Sequence, residues 1–295
     1  MHEGSFTDTH GIDVFTRTWP VADPKGLVLI AHGASEHSGR YDRFARALNA
    51  AGYAAAALDH RGHGNSAAVT GVGRTGPGGG SAVIEDLHQL RTLTSTEVGP
   101  ETPVFLFGHS LGSLIGLAYL VQHSAGLAGG ILCGFPANLA DPGGLAEMLA
   151  AVDAAGLCDE SAAPVLAANN AAFEPARTPY DWLSRDEAEV DAYAADPFCG
   201  DDYPITFGYL IDIFGVVGPA AESLGSIACP VLVIAGDKDP AAGMGEFPAT
   251  LAAALGAAGV SADLTLYPDA RHEILNETNR DEVTADTIAW LARHT

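Results

Sequence analysis

Ser110 stands between two glycines in Gly108-His109-Ser110-Leu111-Gly112, after the apolar run Pro103-Val104-Phe105-Leu106-Phe107 and before Leu114-Ile115-Gly116-Leu117-Ala118-Tyr119. That order predicts a strand, a tight turn and a helix, with the serine perched on the turn and its Oγ above the sheet edge. The flanking glycines fit a turn with no room for a Cβ on either side. A serine hydroxyl is a poor nucleophile at its own pKa, so it needs a histidine base held in one tautomer by a carboxylate. Both follow in the chain. The apolar run Pro230-Val231-Leu232-Val233-Ile234-Ala235 leads into Gly236-Asp237-Lys238-Asp239-Pro240, and Leu264-Thr265-Leu266-Tyr267 leads into Pro268-Asp269-Ala270-Arg271-His272-Glu273.

Nucleophile, acid and base in that order, each on a loop beyond a strand, is the arrangement of the α/β-hydrolases. Chemistry alone leaves Asp237 and Asp239 both open as the acid, because they share one loop. The alternative role for Asp237 is to shape that loop by accepting backbone hydrogen bonds. Glu273 reads as a solvated or structural carboxylate. Acyl transfer also needs donors aimed at the developing oxyanion. One is expected from the backbone N–H of Leu111, and the second from Ala34, in the loop His32-Gly33-Ala34-Ser35-Glu36-His37. His32, His37 and His109 lie beside the turns and read as structural hydrogen-bonding residues.

The elements that must position these groups alternate along the chain. Strands are expected at Ile12 to Trp19, Gly26 to Ala31, Tyr53 to Leu58, Val104 to Gly108, Gly130 to Cys133, Val231 to Ala235 and Ala262 to Leu266. Helical spacing of apolar residues marks Phe44 to Ala51, Val83 to Thr94, Leu111 to Gln122, Pro248 to Ala258 and Asp281 to Ala292. This predicts an α/β fold with a mostly parallel central sheet flanked by helices. The alternation breaks from Phe135 to Gly225, where Pro, Gly and Asp punctuate short helical pieces such as Gly144 to Gly156 and Arg185 to Ala195. The reading is a core of residues 1–134 and 226–295 with a helical cap, 135–225, inserted before the strand at Val231. The cap holds sixteen acidic and two basic residues, Arg177 and Arg185, and a modest surplus of aromatics. A hydrophobic, anion-averse entrance and a solvated surface over a small aromatic core are both open. Its candidate substrate-binding residues are Phe173, Trp182, Phe207, Phe214, Arg177 and Arg185.

A net charge of −23 argues against nucleic acid and anionic membrane surfaces as partners. No run of eighteen apolar residues could span a bilayer, and the N-terminus lacks a basic segment followed by an apolar run, so a soluble cytoplasmic protein is expected. Cys133, Cys158, Cys199 and Cys229 have no paired spacing and read as free thiols. His60 and His63 lack the carboxylate or thiol companions that a metal site needs.

Together, His32-Gly33-Ala34-Ser35-Glu36-His37-Ser38-Gly39-Arg40-Tyr41, Asp59-His60-Arg61-Gly62-His63-Gly64-Asn65-Ser66 and the Ser110 pentapeptide closely resemble the monoacylglycerol lipase and lysophospholipase-like branch of the α/β-hydrolases. The likeness continues into Ser184-Arg185-Asp186, Glu189-Val190-Asp191-Ala192-Tyr193 and Asp196-Pro197-Phe198. It implies a serine hydrolase that attacks carboxylic esters with an apolar acyl or alkyl part, through a covalent acyl-enzyme and without metal or cofactor. The family's glycine, two variable positions and aspartate match Gly236-Asp237-Lys238-Asp239, which implies the acid role for Asp239.

Three features depart from the family. Ser113 follows the elbow where a glycine is usual, Thr70 to Gly80 contains six glycines, and the cap shows no evident long apolar helix. The last point favours soluble esters of short or medium chain length. Ser110 argues against epoxide hydrolases and dehalogenases, which carry aspartate at the elbow. Peptidases, C–C bond hydrolases, acyltransferases and haloperoxidases keep a serine triad and stay open. A carboxylate-bearing monoester, such as that of an aromatic dicarboxylic acid, would need a cation near the site, from Arg177, Arg185 or Arg271. A non-catalytic ligand-binding protein on the same fold is a further alternative.

Overall fold

A computed structural model describes residues 1–140 and 143–295. Its eight strands are β1 (His2–Thr7), β2 (Asp13–Trp19), β3 (Gly26–Ala31), β4 (Tyr53–Leu58), β5 (Val104–His109), β6 (Gly129–Cys133), β7 (Val231–Gly236) and β8 (Ala262–Tyr267). They form one sheet in the order β1-β2-β4-β3-β5-β6-β7-β8. Only the pairs β1 with β2 and β2 with β4 are antiparallel; the rest run parallel. The mostly parallel sheet expected from the sequence is present.

The helices are α1 (Asp42–Ala50), α2 (Ala67–Thr70), α3 (Gly79–Val98), α4 (Leu111–His123), α5 (Gly143–Ala154), α6 (Ala163–Ala167), α7 (Glu187–Ala195), α8 (Phe207–Ala221), α9 (Glu246–Ala257) and α10 (Arg280–Arg293). Strand residues alternate between two cores because successive side chains leave a strand on opposite faces. Leu27, Leu29 and Leu106 pack on the side of α3, α4 and α8, whereas Val28, Ile30, Phe105 and Phe107 pack against α1 and α10. Coverage of both faces is why β3 to β7 read as unbroken apolar runs.

Strand order reverses at β3, which has β4 on one side and β5 on the other. Chains leaving two neighbouring strands at such a point diverge and open a crevice beyond their C-terminal ends, where open α/β sheets bind ligands. The loops after β3 and β5 carry Ala34 and Ser110.

The chain between β6 and β7 adds no strand to this sheet among the described residues. Asp141 and Pro142 of the expected cap lie outside the described residues. Here the structure corrects the sequence reading. Phe207–Ala221 forms a fifteen-residue, strongly apolar helix that packs on α3 and α4, so a long apolar helix is present after all. Gly208, Gly215, Gly218 and Pro219 masked it, because these residues ordinarily punctuate helices. The glycine-rich stretch before α3 serves the same packing. A Cβ on Gly80 would lie 2.2 Å from the carbonyl oxygen of Asp212 in α8, and one on Gly73 would lie 2.2 Å from that of Pro204.

Strand β1, polar and largely exposed, was also not expected; as an edge strand it needs no apolar signature. Just beyond it, Asp8 meets the wholly buried guanidinium of Arg61, which also pairs at 2.7 Å with Asp86 of α3.

Candidate active site

Ser110 occupies the turn between β5 and α4 at φ 52°, ψ −118°, a left-handed conformation that costs energy for any residue with a side chain. The turn is held by the Ser110 amide, which donates to the Cys133 carbonyl at 2.9 Å. Close packing explains the glycines. A Cβ on Gly108 would sit 2.2 Å from the Gly112 carbonyl oxygen, and one on Gly112 would sit 2.1 Å from that of Ala31. Ser113 fills its site with a purpose, since its buried hydroxyl donates to the Ser110 carbonyl at 2.6 Å.

His272 follows β8 and is almost fully buried. Its Nδ1 lies 2.7 Å from Oδ2 of Asp239, itself wholly buried, whose Oδ1 accepts the Ala242 amide at 3.2 Å. Asp237 instead accepts the Asp269 amide at 2.8 Å, the loop-shaping role open to it in the sequence. Burial works against a charged His272 ring, but the charge and hydrogen bond of Asp239, with Glu273 and Glu36 behind it, outweigh that and raise its pKa above the ordinary 6.5. His109 is stripped of water beside it, with ring centroids 4.8 Å apart, and burial pushes its pKa down to about 3. It is neutral at physiological pH.

The Ala34 loop is fastened from several sides. A Cβ on Gly33 would lie 3.3 Å from that of Ser110, which measures how closely loop and serine approach. Oε1 of Glu36 accepts the Gly33 amide at 2.5 Å and the Tyr41 hydroxyl at 2.8 Å. Arg40 then bridges Glu36 Oε2 at 2.7 Å to both oxygens of Glu273, at 2.5 and 2.7 Å. Glu273 is therefore a buried, structural carboxylate, with its pKa held well down by Arg40 against the opposing effect of burial. From the stretch between β6 and β7, the Tyr193 hydroxyl and the Gly200 amide both donate to the Ser35 carbonyl, at 2.9 and 3.1 Å. Glu36 and Arg40 were missed as site residues; nothing in sequence distinguishes a buried ion pair from a surface one.

Ala34, Ser110 and His272 line one narrow cleft of about 40 Å³, together with Trp182, Tyr180 and Leu166. Leu111, the first residue of α4, has no intrahelical partner for its amide. Of the cap candidates only Trp182 is in the cleft lining. Phe214 lines a separate apolar groove of about 590 Å³ between α5 and α8, bounded also by Pro136–Leu139, Ala146 and Phe247. Phe207 is half-buried against the main core, and Phe173 lies under the guanidinium of Arg271. Arg177 is exposed and paired with Asp191 at 2.7 Å; Arg185 is paired with Glu277 at 2.9 Å. Neither lines the cleft.

His32 donates from Nδ1 to the Gly33 carbonyl at 2.8 Å and accepts the His60 amide at 2.9 Å, a structural role. His37, Asp196 and Cys199 bring three ligand-type atoms within 4.8 Å. However, His37 Nδ1 accepts the Gly39 amide at 3.3 Å, so the ring proton sits on Nε2 toward Asp196 and leaves no lone pair there for a metal.

A serine on a strained strand-to-helix turn, a buried histidine–aspartate pair on later loops and a parallel sheet with a reversal at β3 define an α/β-hydrolase. Residues 22–279 match the hydrolase family described as serine aminopeptidase, S33, and the chain belongs to it. It is 31% identical to a monoacylglycerol lipase of Mycolicibacterium smegmatis over 99% of this chain and 97% of that one. It is 32% identical to the human monoglyceride lipase over 77% and 69% of the respective chains. A highly thermostable carboxyl esterase from Bacillus coagulans, solved in complex with glycerol, superposes with a TM-score of 0.89 at 33% identity, covering 99% and 97%. The chain is a carboxylic ester hydrolase of the monoacylglycerol lipase-like branch. No helix among the described residues is long and apolar enough to cross a membrane.

Proposed function

We propose that Ser110 attacks the ester carbonyl, that His272 takes its proton through Nε2 and returns it to the leaving alcohol, and that Asp239 holds His272 in the required tautomer. The oxyanion is received by the amides of Ala34 and Leu111. The observation that carries this reading is the 2.7 Å contact of His272 Nδ1 with the wholly buried Asp239, on a ring that shares its cleft with Ser110. Asp239 stabilises the imidazolium that forms as the tetrahedral intermediate develops, and water then releases the acid from the acyl-enzyme.

The substrate in this reading is a small-molecule ester of an apolar acyl chain with a small polar alcohol, of the monoacylglycerol type named for the relatives. The alcohol end occupies the cleft of about 40 Å³, and the acyl chain extends toward the groove of about 590 Å³ between α5 and α8. Residues 135–225 act as the cap and residues 1–134 and 226–295 as the catalytic core. A carboxylate-bearing monoester is disfavoured by the acids Glu36, Glu273 and Asp201 along the cleft and by the engagement of Arg177 and Arg185 elsewhere. A cytoplasmic setting accords with the free thiols of Cys133, Cys158, Cys199 and Cys229.

The test is Ser110→Ala, expected to lower turnover of a p-nitrophenyl ester by about 10⁴-fold or more and to abolish labelling by a fluorophosphonate. Retained turnover would refute the assignment.

A further inference from the structure

Glu277 lies five residues beyond His272, is wholly buried, and faces neither the cleft nor the groove. Its two oxygens accept five hydrogen bonds, the longest from the Thr278 hydroxyl to Oε2 at 3.4 Å. Oε1 takes the backbone amides of Arg271 at 2.9 Å and Arg185 at 3.0 Å; Oε2 takes Arg185 Nε at 2.9 Å and the Thr278 amide at 2.8 Å. One carboxylate thus joins the loop that carries His272 to the cap segment that begins at Asp181.

Around it the two stretches run together as a seam. The Glu273 amide donates to the Leu183 carbonyl at 2.8 Å, the His272 amide to the Trp182 carbonyl at 3.4 Å, and Ser184 Oγ to the Asn276 carbonyl at 2.8 Å. The Arg271 guanidinium donates to the carbonyls of Asp181 and Ser184 while resting 3.9 Å above the Phe173 ring. The product of the seam is the placement of Trp182, whose ring lies 4.8 Å from that of His272, centroid to centroid, tilted by 34°.

A buried carboxylate is tolerated only when its lone pairs are met, and here the partners that meet them are the backbone on either side of the histidine and its cap neighbour. We infer that Glu277 is a positioning residue for His272: it clamps residues 181–185 of the cap against the His272 loop, so that Trp182 holds the imidazole on its rotamer toward Ser110. This half of the cap is part of the support of the base, and any cap opening must take place elsewhere. The inference rests on the function proposed above.

The test compares Glu277→Gln with the unaltered enzyme, with active sites counted by fluorophosphonate labelling so that misfolded protein does not enter kcat. A Gln offers an N–H₂ where two donors point and cannot meet them. With p-nitrophenyl butyrate, kcat per active site is expected to fall by about 10- to 100-fold, with KM within about twofold, the signature of a misplaced reacting group. The labelling rate should fall by the same factor. Combined with Trp182→Leu, the losses should be less than additive, because both act on one imidazole. Unchanged kcat per active site in Glu277→Gln, whatever its melting temperature, or fully additive losses in the double variant, would overturn the inference. Should Glu277→Gln not fold, Arg185→Met, which removes one half-exposed partner, carries the same test at smaller amplitude: lowered kcat supports the clamp and unaltered kcat refutes it. If the unaltered enzyme is itself inert to the fluorophosphonate, the proposed nucleophile has failed and not the clamp.

Discussion

The two sides of the site are built from opposite materials. On the side of Ser110, His272 and the Ala34 loop, the supports behind the cleft are buried polar groups with named partners: Asp239 on His272, Arg40 between Glu36 and Glu273, Glu277 beneath the seam. On the side of α5 and α8 the groove is walled by Pro136, Ala137, Leu149, Phe214 and Val217, which offer surface and no directed bonds. Hydrogen bonds specify angles as well as distances, whereas apolar contact specifies only volume. The first side suits a reaction whose atoms must be placed closely, and the second suits chains that differ mainly in length.

The strongest way to break that division is Asp239→Asn. It should leave the geometry close to intact but stabilise the wrong tautomer, lowering kcat by about 10⁴-fold. The loss should be equal for acetyl, butyryl and dodecanoyl p-nitrophenyl esters; a loss that varied with chain length would show that the two sides are not separate. On the other side, Ala146→Trp would fill the groove. It should cost roughly tenfold in kcat/KM for dodecanoyl esters and monododecanoylglycerol while leaving acetyl esters within about twofold. A uniform loss would move the acyl chain out of the groove.

The pH dependence should sharpen the contrast at smaller amplitude. His272 must be neutral to act as a base, and its pKa is raised above 6.5, so kcat/KM should fall on acidification through a limb lying above that value. The uncharged histidines beside the site are shifted in the opposite direction, and for them the acid loss is one of stability. Burial depresses His60 and His109 to about 3 and His63 to about 4, so between those values and 6.5 the unfolded chain holds more protons. Their contribution is complete above pH 6.5 and is lost as pH falls below it, which a melting-temperature series from pH 8 to 4 would detect.

Much of the polar side was legible in the sequence because its groups sit at strand ends, where an apolar run followed by Ser, Asp or His announces both element and position. Ser110 and His272 could be placed that way, whereas Asp239 was separated from Asp237 only by likeness to a family. Glu277, Glu36 and Arg40 gave no such sign. Their function comes from burial, which no local pattern announces, and for Arg40 and Glu277 also from partners far along the chain, 233 residues away for Arg40 and Glu273. The apolar side failed differently. Helix α8 buries Tyr209, Ile213, Val217 and Ala220 along one face, but its three glycines and a proline are residues that ordinarily end helices, and they hid that spacing. The arginines considered as substrate cations were legible as charges, but only the fold reveals that Arg185 and Arg271 are occupied in joining residues 181–185 to the stretch that carries His272.

The pairing of Asp8 with Arg61 bears on how much of the N-terminus the protein could lose. Chain ends are usually forgiving of trimming or nicking. This one is not an ornament, since Arg61 is wholly enclosed and draws one of its two carboxylates from the residue that follows β1. Cutting at Gly11 would strip the outermost strand and leave that guanidinium with Asp86 as its one carboxylate beside the carbonyls of Thr75 and Pro77, and burial already raises the pKa of Asp86 to about 6. The first eight residues work as a plug seated from outside, and a protease that removed them would strike at the interior without ever entering it.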